Sequence, residues 1–134
     1  MRVLYALICE SAEAREDGRM DVHGVFHHLF APGFPAQQDR LVLAVALEWA
    51  EGEEGRTPFR IDLLEPTGSP ILTISGHTDV GSRREREPPP RTLLIMPMDE
   101  VVFPAPGLFE FELHAREEKL RIAPLHLIED PDAR

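Results

Sequence analysis

What the sequence has little of narrows it first. A chain of 134 residues carries a single cysteine, Cys9, so no internal disulfide can form, which suits a reducing compartment. Asparagine is absent, glutamine occurs twice and lysine once, while arginine and proline each occur thirteen times, a usage in keeping with a heat-adapted or GC-rich source. No apolar run approaches the roughly 18 residues of a membrane-spanning helix. Helical periodicity is almost missing. Its best candidate, residues 11–17, is short and closes on Gly18, so a turn or loop is expected there.

Positive charge is scarce as well. Fourteen basic against twenty-four acidic side chains leave a net charge of -10, which repels a phosphate backbone and an anionic bilayer, so neither nucleic acid nor membrane is an expected partner. The local exception is GSRREREPPPR at 81–91, where Arg83, Arg84 and Arg86 either gather an anion or stand in a solvated loop.

Catalytic motifs are missing too. There is no GxxxxGK[ST] loop and no GxGxxG fingerprint. None of the four serines, Ser11, Ser69, Ser75 and Ser82, is flanked by nucleophile-elbow glycines. The adjacent acids Glu53-Glu54 and Glu117-Glu118 fall in expected turns, where carboxylates are solvated. Cys9 has no histidine signature near it and reads as a small buried apolar residue rather than a catalytic thiol. The opening MRVLYALICESAEA imitates a secretory signal, but its apolar run at 3–9 is at the lower limit of length and acids follow at once; a first strand and a cytoplasmic location are expected.

What is present is period-two alternation in short runs broken by Gly and Pro. It predicts strands at 2–9, 19–30, 40–49, 57–64, 71–77 and 92–96, one through Phe109, Phe111 and Leu113, and one through Leu120 and Ile122. Strand 40–49 is apolar on both faces, with Leu41, Leu43, Val45, Leu47 and Trp49 against Val42, Ala44 and Ala46; it is expected to be central and covered on both sides. A hairpin across EGEEG would pair Trp49 with Phe59, Leu47 with Ile61 and Val45 with Leu63. The last hairpin would turn at Glu117-Glu118 and pair Leu113 with Ile122 and Phe111 with Pro124, a proline that marks an edge or a bulge. One all-β domain follows: an antiparallel β-sandwich of seven or eight strands, immunoglobulin-like or jelly-roll-like, with long loops at 31–39 and 81–91.

Three histidines crowd DVHGVFHHLFAPGFP at 21–35. On a strand His23 and His27 stand about 13 Å apart and His28 faces the other way, so the three cannot share a zinc ion. A metal would need a long-range set drawn from His28, His77, Asp79, His114 and His126, as in cupin-like sandwiches, yet the cupin spacing of two histidines followed by Glu is absent and no cofactor is expected. Phe26, His28 and Phe30 share one strand face and Phe34 continues in the Ala-Pro-Gly-Phe-Pro loop, which points to a contact surface.

The order LYALICE, then GRMDVHGVFHHLFAPGFP, then an apolar strand ending LEW, followed by FRIDLLEPTG and VFPAPGLFEFELH, resembles a family of short, mainly bacterial proteins of unknown function. The resemblance covers nearly the whole chain. It implies a stand-alone β-domain, and with no activity assigned to the family it transfers no functional residue.

The expected function is therefore a non-enzymatic interaction protein that acts through an exposed strand edge or the Phe/Pro loop at 30–35. Its partner is another protein or a second copy of the chain, for which a homodimer is the commonest closed form. The alternative is a metal-dependent or small-ligand sandwich enzyme that uses histidines from separate strands.

Overall fold

The computed structural model describes residues 1–133 and contains only strands and their connections. Nine strands run in the order β1 (Arg2–Ala14), β2 (Met20–Val25), β3 (His28–Ala31), β4 (Ala36–Glu48), β5 (Gly55–Leu64), β6 (Pro70–Val80), β7 (Arg91–Phe103), β8 (Gly107–Ala115) and β9 (Glu118–Glu129). They form two sheets, ordered β2-β1-β4-β7 and β3-β9-β8-β5-β6, so the sandwich expected from alternation is present. The run β9-β8-β5-β6 follows the G-F-C-C′ order of an immunoglobulin sheet, and β4-β7 stands where strands B and E do.

The core lies between the sheets. Leu41, Leu43, Val45 and Leu47 of β4 meet Ile61, Leu63, Phe111 and Leu113 of the opposite sheet, all at most 1% exposed. Phe103 on β7 meets Phe109 on β8 edge to face, with ring centroids 5.0 Å apart and an interplanar angle of 86°, a favoured aromatic geometry that locks the two layers together. Cys9 is buried against Val42 and Ala44 on the far side of the smaller sheet.

Several expectations change. The strand expected at 19–30 is two. The chain bonds Phe26 N–H to the Ile8 carbonyl, leaves β1 and joins the other sheet as β3, parallel to β9. Gly24, at φ +67°, marks the bend, and a Cβ there would lie 2.7 Å from the Glu10 side chain. Residues 11–14, expected as turn or loop, extend β1 into a hairpin with β2, because alternation in ESAEA is too polar to read without its partner strand. The EGEEG hairpin does not exist: β4 and β5 lie in different sheets. Apolar alternation cannot separate strands that pair side by side from strands that face one another across a core, and these face one another. β7 runs through residues expected as a connection, with Pro97 on an edge strand where its missing N–H is tolerated. In the last hairpin Leu113 pairs with Leu120 and Phe111 with Ala123. The register differs from the expected one because the tight turn is at Arg116-Glu117 and a bulge follows Phe111. The loop expected at 31–39 shrinks to 32–35, with a cis Phe34-Pro35 bond, and β4 starts at Ala36.

Candidate functional site: the outer face of the larger sheet

Alternate residues of β5, β8, β9 and β3 point away from the core, and they sort into a polar zone and an apolar one. In the polar zone, register sets Asp62 opposite Glu112 and Arg60 opposite His114 across β5 and β8. Across β8 and β9 it sets Glu112 opposite Arg121 and His114 opposite Lys119. His114 Nε2 lies 2.9 Å from Glu112 Oε1 and 3.4 Å from Asp62 Oδ2. Both neighbours are acceptors, to which an Nε2–H can donate, while Arg60 Nη2 stands 3.3 Å from both ring nitrogens and so singles out neither. Arg121 Nε donates to Glu112 Oε2 at 2.8 Å, and Thr73 Oγ1 donates to Asp62 Oδ1 at 2.8 Å. Asp62 and Glu112 are 6% and 4% exposed although they face outward, because these longer neighbours cover them.

One ligand atom from each of Asp62, Glu112 and His114 lies within 4.8 Å of the others, the one such group among the described residues. The donor set suits a hard or borderline cation. Arg60 and Arg121, however, already neutralise the two carboxylates, so a divalent ion would enter by displacing a guanidinium.

The apolar zone lies at the β3 edge. His28 pairs with His126 of β9, which pairs with Leu108 of β8, and in the next row Phe30 pairs with Ile128. Phe30 is 51% exposed, Leu108 and Ile128 each 39%, and the His28 ring meets Phe30 edge to face at 5.1 Å. No strand among the described residues pairs with the other side of β3. His27 and Ala31 turn their carbonyls to β9, accepting from His126 N–H at 3.0 Å and Asp130 N–H at 2.8 Å. Alternate residues of a strand direct their backbone groups to opposite edges, so those of His28 and Phe30 face the open side.

Of the residues singled out for a contact surface, His28 and Phe30 stand in this zone, whereas Phe26 and Phe34 pack against the core. Of those singled out for a metal, His28 and His126 are neighbours and His114 is in the polar cluster. His77 and Asp79 lie on β6 opposite Pro58 and Arg56, away from His114. Arg83, Arg84 and Arg86 line a depression of about 470 Å³ together with Glu51, Glu54, Glu85 and Glu87; three positive charges facing four negative ones make a poor anion receptor. Asp62, Glu112, Leu108 and Ile128 escaped the sequence. Each is an unremarkable outward residue until β5 pairs with β8 and β3 with β9.

Cys9 and Glu53 have displaced titrations outside this face. Burial pushes the Cys9 thiol up, against a smaller opposing effect of a backbone hydrogen bond at Ser11. The Glu53 carboxyl is held down, first by its hydrogen bond from the Met1 ammonium at 2.5 Å. No helix is long and apolar enough to cross a membrane. No curated protein matches the chain in sequence. The sequence pattern of one family does, over residues 4–128, and the chain belongs to it: the family of unknown function DUF6941.

Proposed function

We propose that this protein is a non-enzymatic binding module that takes an extended, apolar protein segment along the β3 edge of its larger sheet. The observation that carries this is the grouping of Phe30, Leu108 and Ile128, all well exposed, beside a strand edge with free backbone groups. A segment laid along β3 would exchange backbone hydrogen bonds with His28 and Phe30, and its outward side chains would rest on Phe30 and Ile128. β3 has only four residues, so the backbone contributes a few bonds and the apolar seat supplies much of the affinity.

Selection of extended peptides from a displayed library, followed by titration of the winners, tests this. Winning peptides are expected to shift the backbone amide resonances of His28 and Phe30 and to lose at least tenfold in affinity on Phe30→Asp. Winners that bind elsewhere, or that ignore Phe30→Asp, would sink the reading.

The convergence at Asp62, Glu112 and His114 favours a second reading, a cation-dependent site on the same face. Calorimetric titration with Zn²⁺ and Mn²⁺ decides it. Stoichiometric binding lost in His114→Ala supports a metal centre, and no binding leaves the cluster as a structural brace.

A further inference from the structure

The two sheets end in four edge strands, and three of them limit what can pair there. β3 turns only His28 and Phe30 to its open side, β2 has six residues and bends at Gly24, and β7 carries Pro97 and a left-handed Glu100 at φ +53°. Short, bent or proline-bearing edges keep a sheet from adding strands of any length. β6 has none of these devices along 72–80. That stretch holds no proline, lysine or arginine, and Asp79 is its one acid. Thr73, Ser75, Gly76, His77 and Asp79 are all exposed, along a side that no strand among the described residues pairs with.

Hydrogen bonding shows which backbone groups of β6 are open. At the β5–β6 turn Glu65 N–H donates to the Ser69 carbonyl at 2.9 Å, so Glu65 faces β6, and so does every second residue back along β5: Leu63, Ile61, Phe59 and Thr57. Their register partners Leu72, Ile74, Gly76 and Thr78 face β5 in return. The N–H and C=O groups of Thr73, Ser75, His77 and Asp79 therefore point away from the sheet, and these four residues lie symmetrically about Gly76. On the inner face the half-buried Phe59 lays its ring across Gly76, where a Cβ would stand 2.9 Å from the ring's Cζ.

We infer that β6 pairs antiparallel with β6 of a second copy of the chain, about a two-fold axis normal to the sheet and beside Gly76. In this register Thr73 exchanges both backbone hydrogen bonds with the partner's Asp79, and Ser75 with the partner's His77; symmetry repeats both pairs, so every open residue is matched. Neighbouring registers fail. An axis at Ser75 would set Asp79 against the partner's Ile71, beside the break in the β5–β6 ladder, and one at His77 would set Thr73 against the partner's Gly81, past the end of the strand. A set of donors and acceptors symmetric about one residue suits its own copy better than an arbitrary segment. At the axis the two glycines form a non-hydrogen-bonded pair with Cα atoms about 4.5 Å apart, and their missing side chains leave room for the two Phe59 rings over the seam. On the same face Leu72 meets the partner's Val80, and Ile74 the partner's Thr78. No two charged side chains oppose each other: Asp79, already beside Arg56 of its own chain, meets Thr73. The seam is roughly 30 Å long and joins the two larger sheets into one. The inference goes beyond the binding reading. Both β3 edges stay free at the far ends of the joined sheet, so the assembly would be bivalent.

Sedimentation velocity of the full chain from about 1 µM to 1 mM tests it, joined to amide hydrogen exchange at both ends of that range. A concentration-dependent dimer is expected, with the amides of Thr73, Ser75, His77 and Asp79 protected in the dimer and not in the dilute chain. Ser75→Pro removes one open N–H without touching the ladder to β5 and should weaken association at least about tenfold. Charge checks the register. Ser75→Glu/His77→Glu sets like charges opposite each other across the seam and should weaken it as much, whereas Ser75→Glu/His77→Lys sets opposite charges there and should restore it. Both positions are exposed, and circular dichroism confirms the fold of each variant. Phe30→Asp should leave the dimer intact and Ser75→Pro should leave peptide binding at β3 intact, which separates this inference from the peptide reading. A monomer across the whole range overturns it, as does a dimer that leaves those four amides unprotected or ignores both Ser75→Pro and the glutamate pair.

Discussion

Asp62 and Glu112 face each other across β5 and β8 on the outer face of a sheet, yet both are nearly inaccessible to water. Two like charges side by side in a dry place repel, and what holds them is the set of donors around them: Thr73, Arg60, His114 and Arg121. Of the two arginines Arg121 is the closer, at 2.8 Å from Glu112 against 3.3 Å for Arg60 and Asp62. Arg121→Ala should cost about 1–2 kcal/mol, reduced from the cost at a fully buried pair because Arg121 is itself half exposed. Replacing Glu112 with Met in the same chain should recover most of the loss, since no uncompensated charge then remains. Urea unfolding of the two single variants and the double one checks the cycle; additive losses would show that Arg121 does not act through Glu112.

Glu53 gives the protein an acid-sensitive element. Its carboxyl accepts from the Met1 ammonium and the Ala50 N–H, and Arg116 reaches the same loop through the Glu53 carbonyl. These contacts lower its folded pKa, so the native state holds the charged form more readily than the unfolded chain does. Stability from this group is therefore present above the unfolded value of about 4.3 and fades as pH falls through the folded one. Glu53→Gln should unfold at lower urea than the parent at pH 7, with the gap narrowing as pH falls below the unfolded value and toward the lower folded one, where the parent carboxyl takes up its proton. A gap that persists unchanged at pH 3 would show that the contacts act without regard to charge.

Where the sequence succeeded and failed follows from the range of the physics involved. Alternation is local. It placed Phe109, Phe111 and Leu113 in the core and Glu110, Glu112 and His114 on the opposite face of the same strand, and it showed β4 to be apolar on both sides. Partner choice is not local. Trp49 and Phe59 satisfy a hairpin and a sandwich equally well, because both bury the same faces. The break of the strand expected at 19–30 turned on Gly24 and on one hydrogen bond from Phe26 to Ile8, neither of which changes the hydropathy pattern. The polar cluster stayed invisible for the same reason: Asp62 and Glu112 are fifty residues apart and meet only once β5 and β8 are known to pair.

Cys9 offers a direct probe of burial. Its side chain is 0% exposed between Val42 and Ala44, and the surroundings raise its thiol pKa, so the nucleophilic thiolate is scarce at neutral pH. The native protein should react with an aromatic disulfide reagent at least a hundredfold more slowly than the chain in 6 M urea. Fast reaction of the native state would mean that the hairpin of β1 and β2, which covers Cys9 through Ala12 and Val22, opens readily.

The tight turn between β8 and β9 carries strain that a single substitution should release. Arg116 and Glu117 both have positive φ, 50° and 62°, the conformation of a two-residue turn that Asn-Gly fits best. Arg116 has a reason to stay. Its guanidinium donates to Thr57 Oγ1 at 3.0 Å and to the backbone of the loop at 53–54, tying this turn to the end of β5. Glu117 makes no side-chain hydrogen bond or ion pair among the described residues and is fully available for replacement. A left-handed conformation costs a residue with a Cβ about 1–2 kcal/mol, and glycine avoids this while losing some chain entropy on folding, so Glu117→Gly should gain about 0.5–1 kcal/mol. For a domain of this size that is a rise of about 2–5 °C in Tm, readable by calorimetry. Glu117→Val, which adds branching at Cβ in the same conformation, should move Tm the other way. If both variants melt with the parent, the turn is not strained.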